Sequence, residues 1–214
     1  VDKSMGIGYL HITSFQKTTA FDLDHAMRQL DAEGMRSLII DLRGNPGGLL
    51  SAAVDISDLF IDRGLVVATR GRSPEEDFNY TASHRGTWHI PITLLIDGDS
   101  ASSSEIFAGA IRDHKRGKII GTQSYGKGSI QGIFPMDVAG VGMRLTTAHF
   151  YSPTGKPYSR VGVKPDLQVQ ETARPDSAGR FLNNDAPLAT AIHEARHALE
   201  PAITQPVARR ILSR

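Results

Sequence analysis

Serines, a glycine-flanked lysine and a pair of glycines sit in loops that could do acyl-transfer chemistry. The stretch at 97–105 reads DGDSASSSE, that at 121–131 reads GTQSYGKGSIQ, and that at 41–50 reads DLRGNPGGLL. A serine on a sharp turn between strand and helix has an exposed hydroxyl with helix N–H groups beneath it, and those groups can stabilise an oxyanion. The serines of the first stretch, Ser102 among them, follow an apolar run in that way. The same residues, Ser102-Ser103-Ser104-Glu105, also fit a capping box in which the serine only caps the helix and Glu105 reciprocates. Lys127 lies between Gly126 and Gly128 at the entry to a β-rich stretch, where other backbone can approach closely and desolvate it. A solvated lysine in a turn is the plainer reading. A phosphate loop is a third: Gly121, Gly126 and Lys127 have the spacing GxxxxGK, but Gly128 stands where Ser or Thr would hold Mg²⁺, and no long helix follows. In Asn45-Pro46-Gly47-Gly48 the glycines leave backbone N–H groups uncovered for an anion, or simply turn the chain into a helix.

The elements that must position these loops are legible in the hydrophobic pattern. Residues 8–15 alternate and predict a strand, and Leu23, Ala26, Met27 and Leu30 share one face of a helix over 21–33 that stops at Gly34. Residues 37–42 form a continuous apolar run, as in a buried strand. A helix is predicted over 49–61 and a strand over 65–69. Residues 71–90 are polar and aperiodic and predict a hairpin excursion, in which Tyr80 and Trp88 serve either as packing or as a substrate rim. A buried strand at 92–96, a helix at 103–114 and a short strand at 118–121 follow. Two or three β-rich stretches fill 129–151, and a loop with a hairpin fills 153–166. A last helix spans 186–199, with Asp185 as its cap. Strands alternating with helices indicate an α/β domain, whose sites form where strand ends meet loops and helix N-termini.

With 214 residues, 40% of them hydrophobic and 22% charged, the chain is expected to form a single domain over 1–214 with one sizeable core. A net charge of +1 without a block of one sign offers nothing to nucleic acid. The RRILSR end at 209–214 reads as a frayed, solvated tail. The absence of cysteine excludes disulfides and thiolate metal sites. No signal peptide or membrane-spanning run is visible in the sequence.

Taken in order, the three loops resemble the carboxyl-terminal processing proteases, also called tail-specific proteases. The resemblance rests on DLRGNPGG at 41–48, SASSSE at 100–105 and GKGSIQ at 126–131. Weaker matches are VATRGR at 67–72, VGVKPD at 161–166 and DAPLATAI at 185–192. It implies an α/β fold with a ClpP- and crotonase-like core: a mixed sheet with flanking helices. It implies a serine endopeptidase that hydrolyses peptide bonds near the C-termini of protein substrates, with Ser102 as nucleophile, Lys127 as general base and Gln131 as third member of the site. The oxyanion donors it implies are the N–H groups of Ser103 and Gly48. No cofactor or metal is implied. Protein or peptide substrates would bind in extended conformation. Family members carry a PDZ domain ahead of the opening strand, and nothing here resembles one, so that domain is expected upstream of residue 1 or not at all. The resemblance also allows self-association, and suggests the bacterial periplasm or cell envelope, secretion, or a plastid lumen.

These roles make chemical demands. A serine hydroxyl is a weak nucleophile until a base takes its proton. A free lysine, with a pKa of about 10.4, is protonated at neutral pH, and burial is what disfavours its charge. The amine of Lys127 must therefore lack a close carboxylate, so Asp97, Asp99 and Glu105 are expected to point away from it. Gln131 can orient a neutral amine without adding charge, and at strand spacing residues 127, 129 and 131 share a face.

Two rival readings stand beside this one. His193-Glu194-Ala195-Arg196-His197 is a literal HExxH that could hold zinc as in a metalloprotease, but Glu200 and Ile203 stand where the extended motif wants Gly and His. A protease-like core that binds peptides or other ligands without hydrolysis is the second, against which the intact Ser102, Lys127 and Gln131 argue. The remaining histidines (His11, His25, His84, His89, His114 and His149) show no ligand spacing.

Overall fold

The structure, a computed structural model, describes residues 4–83, 87–136, 142–170 and 185–200. Its elements in chain order are β1 (Ile7–His11), α1 (Thr19–Ala32), β2 (Ser37–Asp41), α2 (Leu50–Asp58), β3 (Gly64–Gly71), β4 (Phe78–Ala82), β5 (Ile92–Ile96), α3 (Ser103–Asp113), β6 (Gly117–Gly121), β7 (Ser129–Pro135), β8 (Gly142–Tyr151), β9 (Leu167–Gln168) and α4 (Ala186–His197). The strands form a five-stranded sheet of order β1-β2-β5-β6-β9 and a four-stranded sheet of order β4-β3-β8-β7. Every pairing in the first is parallel, and every pairing in the second is antiparallel. The chain is thus the expected α/β core with flanking helices, its two strand directions sorted into separate sheets.

The apolar runs at β2 and β5 are continuous because both faces of the parallel sheet are covered. Leu38, Ile40, Leu94, Ile96 and Ile119 belong to the main core with Leu23 and Met27 of α1, Ile56 of α2 and Phe107 of α3. The alternate residues Ile39, Leu95 and Ile120, with Ile7, meet Ala191 and Ala195 of α4 in a second core. The period of two along a strand thus sends successive residues into different cores.

Boundaries shift where tertiary contacts intervene. The first strand ends at His11 rather than Phe15, and Phe15 instead forms an isolated parallel bridge with Gly48. The second helix ends at Asp58, and Phe60 and Ile61 follow it as buried turn residues. The polar excursion is a hairpin: β4 returns antiparallel on β3, with a 3-10 turn at Pro74–Glu76 between them. Trp88 and Tyr80 pack against the core, and the Trp88 indole N–H donates to Asp24 Oδ1 at 2.8 Å. They are packing residues. His84 and the tail at 209–214 lie outside the described residues. The pattern gave no sign of β9, which is two residues long and is delivered by the VGVKPD turn, whose Asp166 Oδ2 accepts the Ile119 N–H at 2.8 Å.

The C-terminal end of α3 is pinned to the 152–156 turn by Asp113. Its carboxylate accepts from Thr154 Oγ1 at 2.7 Å, Thr154 N at 3.2 Å and Arg112 Nε at 3.0 Å. Burial pushes this carboxyl up, but hydrogen bonds from Ser152, Thr154 and Arg112, with the Arg112 charge, outweigh burial and leave it below its ordinary value. A depressed folded-state pKa contributes stability above the unfolded value, and that stability is lost as pH falls through the folded value. Asp113→Asn should therefore lower the unfolding midpoint at pH 7, and the gap to the parent should close as pH falls below the ordinary carboxylate range. Thermal unfolding followed across pH checks both points.

Candidate active site

Strands β2, β5 and β6 are neighbours and run parallel, so the segments leaving their C-terminal ends emerge side by side. Those segments are the NPGG, SASSS and GKG loops. Open parallel sheets place sites at such an edge.

Ser102 precedes the first residue of α3 with φ 57° and ψ −114°. A serine that only caps a helix takes extended backbone angles. A left-handed φ on a non-glycine residue costs about 1–3 kcal/mol and persists only where surrounding structure enforces it. Here the enforcing contacts are visible. Asn45 is buried, its Nδ2 donates to the Ile12 carbonyl at 2.7 Å, and its Oδ1 accepts the Gly47 N–H at 2.8 Å. The Asn45 carbonyl accepts the Ala101 N–H and the Ser104 hydroxyl, each at 3.0 Å. Asp97 accepts the Gly44 N–H on both oxygens, at 3.0 and 3.1 Å, and the Ser100 N–H at 2.9 Å. Gly47, at φ 99°, must be glycine: a Cβ there would lie 2.8 Å from Ser102 Cβ and 2.9 Å from Ser103 N. The NPGG turn is thus pressed directly against the serine turn.

Two N–H groups at this junction are unspent. Among the described residues neither Gly48 N nor Ser103 N has an acceptor, although the Ser103 hydroxyl donates to the Gly48 carbonyl at 3.0 Å. The other N–H groups of the two turns that bear on Ser102 are committed: Gly47 N to Asn45, and Ser102 N to Glu105 Oε2 at 2.8 Å.

The loop holding Lys127 is fixed by its backbone. Tyr125 N donates to the Ser100 carbonyl at 3.0 Å, and the Gly126 carbonyl accepts Arg160 N at 2.8 Å. A Cβ on Gly128 would fall 2.1 Å from Ser159 N, which explains that glycine. The close backbone approach expected around Lys127 therefore exists, but it acts on the flanking glycines. The Lys127 side chain itself is exposed, so the desolvation expected from the sequence is not supplied by the described residues. No ion pair among the described residues joins it to Asp97, Asp99 or Glu105, yet Glu105 Oε2 does accept its backbone N–H at 2.8 Å. Gln131 is exposed on β7, whose first residue is Ser129, so Lys127 lies just outside the strand. A register shift between Ile130 and Gln131 sets Gln131 opposite Thr146. The structure brings the backbones of Ser102, Ser103, Gly48 and Lys127 together. Among the described residues no hydrogen bond links the side chains of Ser102, Lys127 and Gln131.

Behind the NPGG loop lies a buried ion cluster. Arg43 donates to Asp41 through Nη2 at 2.6 Å and to Asp185 through Nη1 at 2.8 Å, and the Tyr9 hydroxyl donates to Asp41 at 2.8 Å. Burial alone would lower the Arg43 guanidinium, but the two carboxylates outweigh it and hold the charge in place. Asp185 also caps α4, as expected, accepting Leu188 N at 2.9 Å. On that helix Ala191 and Ala195 face the sheet, whereas His193 and His197 are exposed on its outer side. Among the described residues no group of three or more potential metal ligands is assembled.

Sequence reasoning missed the roles of Asn45 and Asp97, and of Glu105 it foresaw only the bond to the Ser102 end of the helix. The available signal was an Asn or Asp next to glycine in a turn, which marks side-chain bonds to nearby backbone.

An α/β core thus carries a strained serine turn, two amide donors without acceptors among the described residues and a glycine-flanked lysine at one edge of its parallel sheet. Residues 6–169 match Peptidase family S41, and the chain belongs to that family. It is 42% identical over 170 residues to a carboxy-terminal-processing protease of Bartonella bacilliformis, covering 77% of this chain and 39% of that protein. It is 34% identical over 202 residues to the chloroplastic carboxyl-terminal-processing peptidase 3 of Arabidopsis thaliana, covering 90% of this chain and 38% of that one. Among solved structures it resembles a photosystem II D1 C-terminal processing protease, with a TM-score of 0.72 and 32% identity over 81% of this chain and 45% of the other. The chain thus spans under half the length of these relatives.

Proposed function

We propose that this chain is the catalytic core of a serine endopeptidase that cleaves protein substrates near their C-termini, with Ser102 as nucleophile and Lys127 as general base. The observation that carries this reading is the pair of unspent N–H groups, Gly48 and Ser103, beside a serine held at a left-handed φ. Ser102 Oγ attacks the peptide carbonyl while its proton passes to the Lys127 amine. The two N–H groups receive the oxyanion. As the C–N bond breaks, the ammonium of Lys127 returns the proton to the leaving amine, and water, deprotonated in turn, releases the acyl group. Gln131 orients the amine once its long side chain swings over Ser102, and the apolar side chains of a bound substrate supply the cover that Lys127 lacks in the resting chain.

The substrate binds extended, as an added strand at a free sheet edge. Names of the relatives favour a C-terminal cleavage site, and an envelope or periplasmic setting is the one the loop resemblance suggests. A PDZ domain in a longer protein, and self-association, fit the same reading.

Reaction with a fluorophosphonate probe tests it. The expected result is one adduct per chain, mapped by mass spectrometry to Ser102 and slowed in Lys127→Ala. Labelling spread evenly over several serines, or unchanged in Lys127→Ala, would refute the assignment.

A further inference from the structure

Glu105 holds a position that neither nucleophile, base nor oxyanion donor explains. It stands in the first turn of α3 and is 1% exposed. A buried carboxylate needs compensation, and this one has no ion-pair partner among the described residues. It is satisfied by hydrogen bonds from both loops at once. Oε1 accepts the Ser124 hydroxyl and the Gly126 N–H, each at 2.6 Å. Oε2 accepts the Ser102 N–H and the Lys127 N–H, each at 2.8 Å. One oxygen atom therefore joins the backbone of the proposed nucleophile to that of the proposed base.

From this geometry we infer that Glu105 is a positioning residue: its carboxylate sets the distance between the Ser102 turn and the Lys127 loop. The inference rests on the protease reading and deepens it. The alternative for Glu105, a helix cap, uses only the bond to Ser102 N. A cap does not need the three contacts at 124–127, which come from a loop on the next strand. Those contacts consume N–H groups that have no acceptor in their own loop, and Ser124 is further tied down by the Val163 N–H at 2.7 Å. Glu105 is also well chosen for the purpose. Four donors converge on it, and only a carboxylate offers acceptor sites for all four on two atoms. An amide keeps the shape but turns one oxygen into an NH₂ group facing donors. Either orientation of that amide breaks two of the bonds, so no flip rescues it.

The test compares the parent with Glu105→Gln, with Ser124→Ala, which removes one of the four contacts, and with Met35→Ala. Met35 is buried just before β2, at the end of the sheet away from the loops, and serves as a control for lost stability. Peptide hydrolysis, the phosphonylation rate of Ser102 and amide hydrogen exchange are measured well below each unfolding midpoint. A misplacement of about 1 Å costs on the order of 100-fold in rate, so Glu105→Gln should lose about that factor in kcat and in phosphonylation, with KM changed less than about threefold. Ser124→Ala should lose about tenfold, which keeps the test decisive if Glu105→Gln does not fold. Exchange at the amides of Ser102, Gly126 and Lys127 should quicken in Glu105→Gln, while Met35→Ala should keep parental kcat and parental exchange at those amides. Parental kcat in a folded Glu105→Gln or in Ser124→Ala, or a loss matched by Met35→Ala, would overturn the positioning role alone. A parent that does not label at Ser102 would overturn the protease reading and the role together.

Discussion

Lys127→Arg should be as inactive as Lys127→Ala. Arginine keeps the cation and most of the reach, but it cannot be deprotonated in a protein. If position 127 only attracted a substrate carboxylate or steadied the loop, arginine would serve and kcat would hold. As a general base it fails, and both variants should lose about 10²–10⁴-fold in kcat. Ser102→Ala should lose more, on the order of 10⁴–10⁶-fold, because the acyl-enzyme route itself disappears. Steady-state hydrolysis of an extended peptide by the four proteins settles the ranking. More than about a tenth of parental kcat in Lys127→Arg would remove Lys127 from the role of base.

The largest effect on stability is expected at Arg43. Its guanidinium is 2% exposed and lies between Asp41 at 1% and Asp185 at 4%. Arg43→Ala leaves two buried carboxylates without their counter-charge, and removal of one partner from a buried ion pair costs about 3–5 kcal/mol. For a domain of this size that corresponds to a fall in the unfolding midpoint of roughly 10 °C. Arg43→Lys should recover little, because an ammonium cannot reproduce the fork that meets both acids. Calorimetry of the two variants against the parent gives the answer, and a fall of less than about 3 °C in Arg43→Ala would show that water already shares the cluster.

The strands of the parallel sheet were readable because burial on two faces leaves an unbroken apolar run, as at 37–41 and 92–96. Helix α1 was readable from its stripe, and the α4 cap from Asp185. The three loops announced themselves by glycine and serine content. Their adjacency was not readable from pattern alone, since it depends on β5 pairing with both β2 and β6, a long-range fact. Carboxylates Asp97 and Glu105 looked in the sequence like charges to be kept away from an amine. The structure turns them toward backbone N–H groups, because a buried acid takes the nearest donors regardless of sign patterns along the chain. The exposure of Lys127 was also hidden: glycines on both sides suggested enclosure, whereas they admit backbone at Arg160 and Ser159 and leave the side chain outside.

The link from Arg43 to Asp185 crosses 142 positions of the sequence. Closing so long a loop is entropically slow, and contacts of that separation form late. During synthesis the arginine behind the NPGG turn therefore has only its near neighbour Asp41 to meet, and its second carboxylate arrives once the start of α4 has left the ribosome.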